Sequence, residues 1–440
     1  MKKSLLLSIA LLWMAAGMAK QWTMQECIDY ALQNNITLKK GVLSHQISVD
    51  AVSQARAALL PSLSASTSQN FSYTPFTENQ TFVSGSQAYQ SNDKYNVNGT
   101  YSISANWTAW NGNKNYNTLK QQKIAEKQAD LQTQISANSI QEQIIQIYTQ
   151  ILYAKEAVNI NKEMLEISKK NLERGREMYR VGSRAKADVV QLEALVANDE
   201  YDIVSSEAQV ASYKLQLKQL LEIAGTEDFD VIDPQQADAL ALVTIPGLED
   251  VYNSALAFRP EIKNSALAIE SSDLDIKIAK AGWMPTVSLN GSVGSNTNSR
   301  SAEAWSKQMK KSFNAGVGLN VSIPIFDNKQ TKTAVGRAQL TRQTQELELE
   351  NQKKELWKSI ETYWLDATTN QAKFKSAQVS VESAQTSYDL LSEQYRTGLK
   401  AISDVLDGKS TLLQAQQNKL QSKYMTILDI QLLNFYQSAQ

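Results

Sequence analysis

Apolar and polar positions along this chain follow two rhythms, and the change from one to the other recurs at fixed points. Neither Gly nor Pro occurs from Asn113 to Arg174, nor from Ala338 to Thr397. In the first of these runs apolar or aromatic residues return every seven positions: Ile144, Ile151, Val158, Leu165, Leu172, Tyr179. In the second they alternate by four and three: Leu356, Ile360, Tyr363, Ala367, then Phe374, Ala377, Val381, Ala384, Tyr388, Leu391, Tyr395. A 3.5-residue repeat keeps one seam of a helix apolar and is the coiled-coil signature. A helix of about 68 residues would run roughly 100 Å at the α-helical rise, longer than one globular core needs. Shorter helices are expected over about Thr23–Leu60, Asp188–Ile223, Leu248–Trp283 and Ser403–Phe435.

The second rhythm has period two. Phe313, Ala315, Val317, Leu319, Val321, Ile323 and Ile325 alternate with Asn, Gly and Ser, and Tyr101, Ile103, Ala105, Trp107 and Ala109 alternate with Ser, Asn and Thr. With two weaker segments this predicts four strands, at about 61–73, 99–110, 285–294 and 313–325. Each has the nine to eleven residues, roughly, of a tilted transmembrane strand. Alternation alone fits a half-buried soluble sheet equally well. Four strands cannot close a barrel, and an open edge in lipid is prohibitively costly. If the sheet is in a membrane, two, three or four chains must pool strands, and the sequence does not choose among them.

The chain reads twice. Ala57-Ala58-Leu59-Leu60-Pro61-Ser62-Leu63-Ser64 resembles Ala281-Gly282-Trp283-Met284-Pro285-Thr286-Val287-Ser288, 224 positions on. Tyr179-Arg180-Val181-Gly182 matches Tyr395-Arg396-Thr397-Gly398, Asp188-Val189 matches Asp404-Val405, and Trp110-Asn111 matches Phe326-Asp327, now 216 positions on. The register holds, shifts once by eight residues between Pro61 and Trp110, and holds again, as a variable loop would make it do. The expected division is a leader over 1–19, a first repeat over 20–223, a joining segment over 224–247 containing Pro234 and Pro246, and a second repeat over 248–440. Each repeat reads helix, strand, loop, strand, very long helix, tight turn, helix. A pore-less coiled-coil envelope scaffold would explain the seams, but not helices joined directly to strands at Pro61, Trp110, Pro285 and Phe326.

Composition narrows the compartment. Lys2 and Lys3, an apolar stretch from Leu5 to Ala16, and Gly17-Met18-Ala19 form a secretory signal, the stretch being short for a membrane anchor. No later window is apolar for long enough to be a transmembrane helix. The 44 Lys+Arg balance 45 Asp+Glu, so a basic nucleic-acid footprint is absent. With one Cys and one His, neither an internal disulfide nor a Cys/His metal site can be built. Met24-Gln25-Glu26 before Cys27 does not suit a lipid-attachment box, and His45 is expected to be an ordinary helix residue. No nucleophile elbow, phosphate loop or metal motif is present, so neither an enzyme nor a cofactor is expected.

Two joints carry a family resemblance. Ser322-Ile323-Pro324-Ile325-Phe326-Asp327 resembles the strand-to-helix signature of the TolC family of outer-membrane efflux proteins, and the segment Tyr395 to Asp407 is similar to that family's second helical-hairpin tip. The resemblance covers the chain from about Trp22 onward. It implies a mixed α and transmembrane β fold, with four strands and duplicated coiled-coil helices per chain. It also implies a homotrimer with a 12-stranded β-barrel in outer-membrane lipid, continued by an α-helical tunnel across the periplasm. The implied function is a passive exit duct for small molecules or drugs, joined by a periplasmic adaptor to an inner-membrane transporter that supplies energy. The same fold also serves type I protein secretion.

The tips are where the resemblance assigns a working part. Gly182 and Gly398 sit where a long helix reverses, and Asp188 and Asp404 follow where a carboxylate caps the next helix. By resemblance, Tyr395 and Lys400 engage the first-repeat acid Asp188 to hold the periplasmic mouth closed, and Asp404 and Asp407 ring the constriction. Val181, Gly182, Gly398 and Leu399 are implied to dock the adaptor. Lys400 stands where Arg is familiar and cannot make a bidentate link, and Ala187 offers no hydroxyl beside Asp188. Arg396 is a candidate substitute for the missing guanidinium.

Overall fold

The computed structural model describes residues 20–76, 80–84, 87–91, 94–225, 229–233, 237–301 and 303–438. The expected leader over 1–19 and Pro234 lie outside them. The first half contains β1 (Lys20–Trp22), α1 (Met24–Asn34), α2 (Ile36–Ala57), β2 (Ser62–Tyr73), β3 (Gln80–Ser84), β4 (Gln87–Ser91), β5 (Tyr95–Trp110), α3 (Lys114–Arg180) and α4 (Lys186–Leu220). Then follow β6 (Phe229–Val231), α5 (Ala237–Leu240), α6 (Leu248–Phe258), α7 (Pro260–Lys280), β7 (Thr286–Asn298), α8 (Trp305–Lys311), β8 (Asn314–Ser322), α9 (Gln330–Arg396) and α10 (Ile402–Gln437). No described helix is long and apolar enough to cross a membrane.

The long helices α3 and α9 are 67 residues each and begin and end 216 positions apart. Both start from the same backbone turn. Gly112 and Asn113 hold φ of 65° and 63°, and Asn328 and Lys329 hold 53° and 64°. Asn111 Oδ1 accepts from the Asn115 amide at 3.3 Å, and Asp327 Oδ2 from the Thr331 amide at 2.8 Å. A short side-chain acceptor here satisfies an amide that a helix start leaves orphaned.

Two of the four shorter helices expected as single rods are each broken once. Thr23–Leu60 divides at Asn35 (φ −60°, ψ 130°) and Leu248–Trp283 at Arg259 (φ −61°, ψ 128°). Pro260 explains the second break: its ring removes an amide hydrogen and drives the preceding residue to extended backbone. Asn35 explains the first by turning its side chain to the backbone. Its Oδ1 accepts from Thr37 N at 2.8 Å while its Nδ2 donates to Leu220 O at 3.0 Å.

The chain forms two compact units. The first comprises Met1–Leu43, Asp130–Asn264 and Glu350–Gln440. Its core is the helical seam read from the sequence, with Ile144, Ile151, Leu217, Leu221 and Phe374 fully buried. Burying such a side chain contributes about 1.5–3 kcal/mol. The same unit holds a pairing that the sequence did not announce. β1 lies parallel to β6, Trp22 beside Val231, and Tyr148 donates to Ile232 O at 2.8 Å to anchor the pair.

The second unit comprises Ser44–Ala129 and Ser265–Leu349 and carries a four-stranded antiparallel sheet in the order β2-β5-β7-β8, besides the two-stranded antiparallel pair β3–β4. Leu63 lies opposite Ala105, Ile103 opposite Val293, and Leu289 opposite Leu319. These residues form one apolar face, and it is open: Val317 is 87% exposed and Leu63 76%. The other face is Ser, Asn and Thr, with hydroxyl pairs Ser64–Ser104 at 2.9 Å and Ser66–Ser102 at 2.8 Å. β7 continues to Asn298 instead of stopping near Gly294, because its Asn and Thr residues go on pairing with β5 as far as Asn98. β8 ends at Ser322, short of Pro324, which has no amide hydrogen for a ladder.

Candidate functional site

The candidate site is the pair of helical turns in the first unit. The turn between α3 and α4 closes with Gly182 N donating to Tyr179 O at 2.9 Å and Ser183 N to Met178 O at 2.9 Å. The turn between α9 and α10 repeats this, Gly398 N to Tyr395 O at 3.1 Å and Leu399 N to Gln394 O at 2.9 Å. This is the Schellman arrangement, which needs a left-handed residue after the helix. Gly182 and Gly398 supply it at φ 75° and 82°. Val181 and Leu399 project from these turns at 70% and 77% exposure.

The turns are alike in backbone and different in what they bury. Tyr395 is 4% exposed, and its counterpart Tyr179 is 47% exposed. Tyr395 is covered by Arg184, whose guanidinium lies 4.5 Å from the ring centroid. The same guanidinium donates through Nη2 to Tyr395 O at 3.1 Å and to Lys400 O at 2.9 Å. One side chain of the first turn thus holds two carbonyls and one ring of the second. A cation over an aromatic face adds roughly 0.5–2 kcal/mol.

Burial pushes the Tyr395 hydroxyl pKa up, the nearby Asp188 carboxylate raises it further, and Arg184 opposes both. The hydroxyl is buried and bonds to nothing among the described residues of this chain. Asp188 stands beside Tyr395 without accepting its proton. Lys400 pairs with Asp404 on its own hairpin, Nζ to Oδ1 3.7 Å, and the other carboxylate oxygen of Asp404 accepts from Ala401 N at 3.1 Å. Asp404 therefore caps α10. Asp407 is exposed one turn further on. Arg396 points to Glu393, with Nε donating at 2.9 Å, and does not reach across to the first turn.

Two ionic groups lie deeper in the same unit. Lys409, 4% exposed, bonds Asp199 and donates to Ser168 Oγ at 2.6 Å, tying α10 to α4 and α3. Burial pulls the Lys409 pKa down, and the Asp199 carboxylate opposes that shift. Lys423 is held by Glu156, with Asp238 at 3.2 Å. Neither Arg184 nor Lys409 stands among the expected site residues, although the sequence carries a signal for each. Arg184 lies 216 positions before Lys400, so the first turn carries a guanidinium at the position that corresponds to Lys400. Lys409 follows Ile402 and Val405 and precedes Leu412 at three-and-four spacing, which puts a cation on an apolar seam.

The strand-to-helix residues fall in the second unit. Pro61 immediately precedes β2, Trp110 ends β5, Pro285 immediately precedes β7, and Pro324 and Phe326 lie between β8 and α9. Trp110 sits at a register shift in the β5–β7 ladder, and Phe326 is 81% exposed.

Comparison with known proteins follows this geometry. The family model described as outer membrane efflux protein matches residues 27–222 and 251–433. The outer membrane protein TolC of Escherichia coli (strain K12) is 23% identical over 434 residues, covering 94% of this chain and 82% of that protein. The proteases secretion protein PrtF of Dickeya chrysanthemi is 21% identical over 432 residues, covering 96% and 89%. The crystal structure of the Campylobacter jejuni CmeC outer membrane channel superposes with a TM-score of 0.76 at 18% identity, covering 94% of this chain and 86% of that one.

Proposed function

This chain belongs to the outer membrane efflux protein family, and from that premise we propose how its two turns work. The protein is an outer-membrane exit duct with a helical tunnel in the periplasm, and it is not an enzyme. Three copies pool their four-stranded sheets into a 12-stranded barrel, which removes the unpaired edges of β2 and β8. A periplasmic adaptor docks on Val181, Gly182, Gly398 and Leu399, and an inner-membrane transporter drives substrate into a passive duct. The cargo is small molecules or drugs, in keeping with the word efflux in the family description.

The closed mouth is held by Tyr395, Lys400 and Asp188, as the resemblance implies, with Arg184 as the principal cation. The observation that carries this reading is the Arg184–Tyr395 contact, because it joins the two turns that must separate for the mouth to widen. Asp404 and Asp407 form acidic rings from three chains and favour cations at the constriction. In planar bilayers, Asp404→Asn with Asp407→Asn is expected to weaken block by divalent cations on the periplasmic side by about tenfold or more, the loss of two carboxylate rings being several times RT. Unchanged block would remove both residues from the constriction.

A protein-secretion duct is the second reading, favoured by the match to a protease secretion protein over nearly the whole chain. Restored drug resistance, against restored protease export, in hosts lacking their own duct separates the two.

A further inference from the structure

The connection between β7 and β8 is unlike its counterpart between β2 and β5. It lies at the end of the sheet away from the strand-to-helix joints, which is the outer end of the duct. Within Ser299–Ser312 the chain carries Arg300, Lys307, Lys310 and Lys311 against the single acid Glu303. The counterpart, Thr74–Lys94, carries Glu78 and Asp93 against the single basic residue Lys94.

The basic connection is folded and fixed in place. Ser295 Oγ donates to Met309 O at 2.8 Å, and Trp305 Nε1 donates to the Tyr101 hydroxyl at 3.2 Å with the rings edge to face. Gln308 Oε1 accepts from Asn298 N at 2.8 Å, and its Nε2 donates to Glu303 O at 2.6 Å. Tyr101 and Ser295 are direct partners in the β5–β7 register and share a face with Ile103 and Val293. That is the apolar face. Helix α8 therefore caps the outer end of the surface that meets lipid, at the level where hydrocarbon gives way to headgroups. Trp305, 57% exposed, suits that boundary, and the stacked rings of Phe71, Tyr73 and Tyr95 lie farther out along β2 and β5. Lys307 and Lys310 are exposed and three residues apart, so they share one face of the helix. Lys311 pairs with Glu303.

We propose that α8 is a docking platform for a phosphate-bearing lipid headgroup of the outer leaflet, held by Lys307 and Lys310 and levelled by Trp305. The charge is complementary, the platform is rigid, and it sits on the lipid side of the sheet. The inference rests on the apolar face being the lipid face.

The test titrates the full-length protein in detergent with diphosphorylated lipid A, with the same lipid stripped of its phosphates, and with phosphatidylcholine, counting bound lipid by native mass spectrometry. A basic residue near a membrane surface contributes on the order of 1 kcal/mol, so the wild type should prefer the phosphorylated lipid by about tenfold or more. Lys307→Gln with Lys310→Gln should abolish that preference, and the paired Lys→Arg changes should keep it. Equal retention of phosphorylated and stripped lipid by the wild type overturns the proposal, and needs no variant. An undiminished preference in the double Gln variant overturns it too. Bilayer conductance of each variant reports separately on whether the barrel itself has formed.

Discussion

Helices α4 and α10 leave their turns 216 positions apart and have nearly equal lengths, 35 and 36 residues. Within one chain their surroundings differ sharply. In α4 only Val189, Leu192, Asp199 and Leu217 are buried, whereas α10 buries seventeen residues, charged ones included. A common pattern therefore sets where helices begin and turn, while tertiary packing decides what each position does. The pair Arg184 and Lys400 shows this most directly. The first-half residue crosses to the other turn, and the second-half residue stays with Asp404 on its own hairpin. Another instance is a swap of volume. Gly175 faces Leu192 in the first half, and Leu391 faces Gly408 in the second. The same small-against-large contact is made with its partners exchanged, because position 175 corresponds to 391 and 192 to 408.

The difference in burial can be broken at its most sensitive point. Asp199→Ala leaves the buried Lys409 without its carboxylate, and breaking a buried pair from one side costs about 3–5 kcal/mol. Lys409 corresponds to Glu193, whose partner Arg176 lies at 2.7 Å on the surface. Glu193→Ala should cost less than about 1 kcal/mol. Denaturant unfolding in detergent gives both numbers, and equal losses would show that the asymmetry carries no energy.

The volume swap predicts a smaller effect. A Cβ at Gly408 would stand 2.8 Å from Leu391 Cδ1, so Gly408→Leu overpacks this contact by about 1–3 kcal/mol. Adding Leu391→Gly recreates the first-half arrangement and should recover much of that loss. A double-mutant cycle with no coupling would mean that the two contacts are not equivalent.

Asp429 lies in the more buried helix α10, and its pKa is pushed up to about 7, chiefly by burial, with Asp366 adding and Asn370 opposing. Its corresponding position is Tyr213. A carboxyl whose folded pKa exceeds its unfolded 3.8 favours the folded state most below pH 3.8. That contribution is lost as the pH climbs toward about 7. Asp429→Asn should flatten this fall between about pH 4 and 7 and raise stability at pH 8 relative to the wild type. An unchanged slope would place the carboxyl in water.

Much of the architecture was readable because the two periodicities are physically distinct. Ile144, Ile151, Ile360 and Phe374 were expected on helical seams, and all are fully buried. The alternation around Ile103 and Val317 produced the strands, and the joints at Trp110 and Phe326 fell where the period changes. The β1–β6 pair was unreadable, since three residues are too few to show a period. The break at Arg259 was visible in Pro260 but is easily absorbed, because Pro also suits the first turn of a helix. At the turns, Tyr395, Asp188 and Lys400 were named through resemblance alone. Arg184 was missed because it lies in a turn, where neither periodicity applies. Lys409 was missed because a lysine is ordinarily assigned to solvent.

The central claim is that the duct's closed mouth depends on the second-half tyrosine and the first-half arginine that covers it. Single-channel conductance in planar bilayers tests this directly, comparing the wild type with Arg184→Ala, with Tyr395→Ala, which removes the ring under the guanidinium, and with Tyr179→Ala. The first two variants should conduct several-fold more than the wild type, and Tyr179→Ala should match it. No rise in Arg184→Ala, or an equal rise in all three variants, would contradict the account.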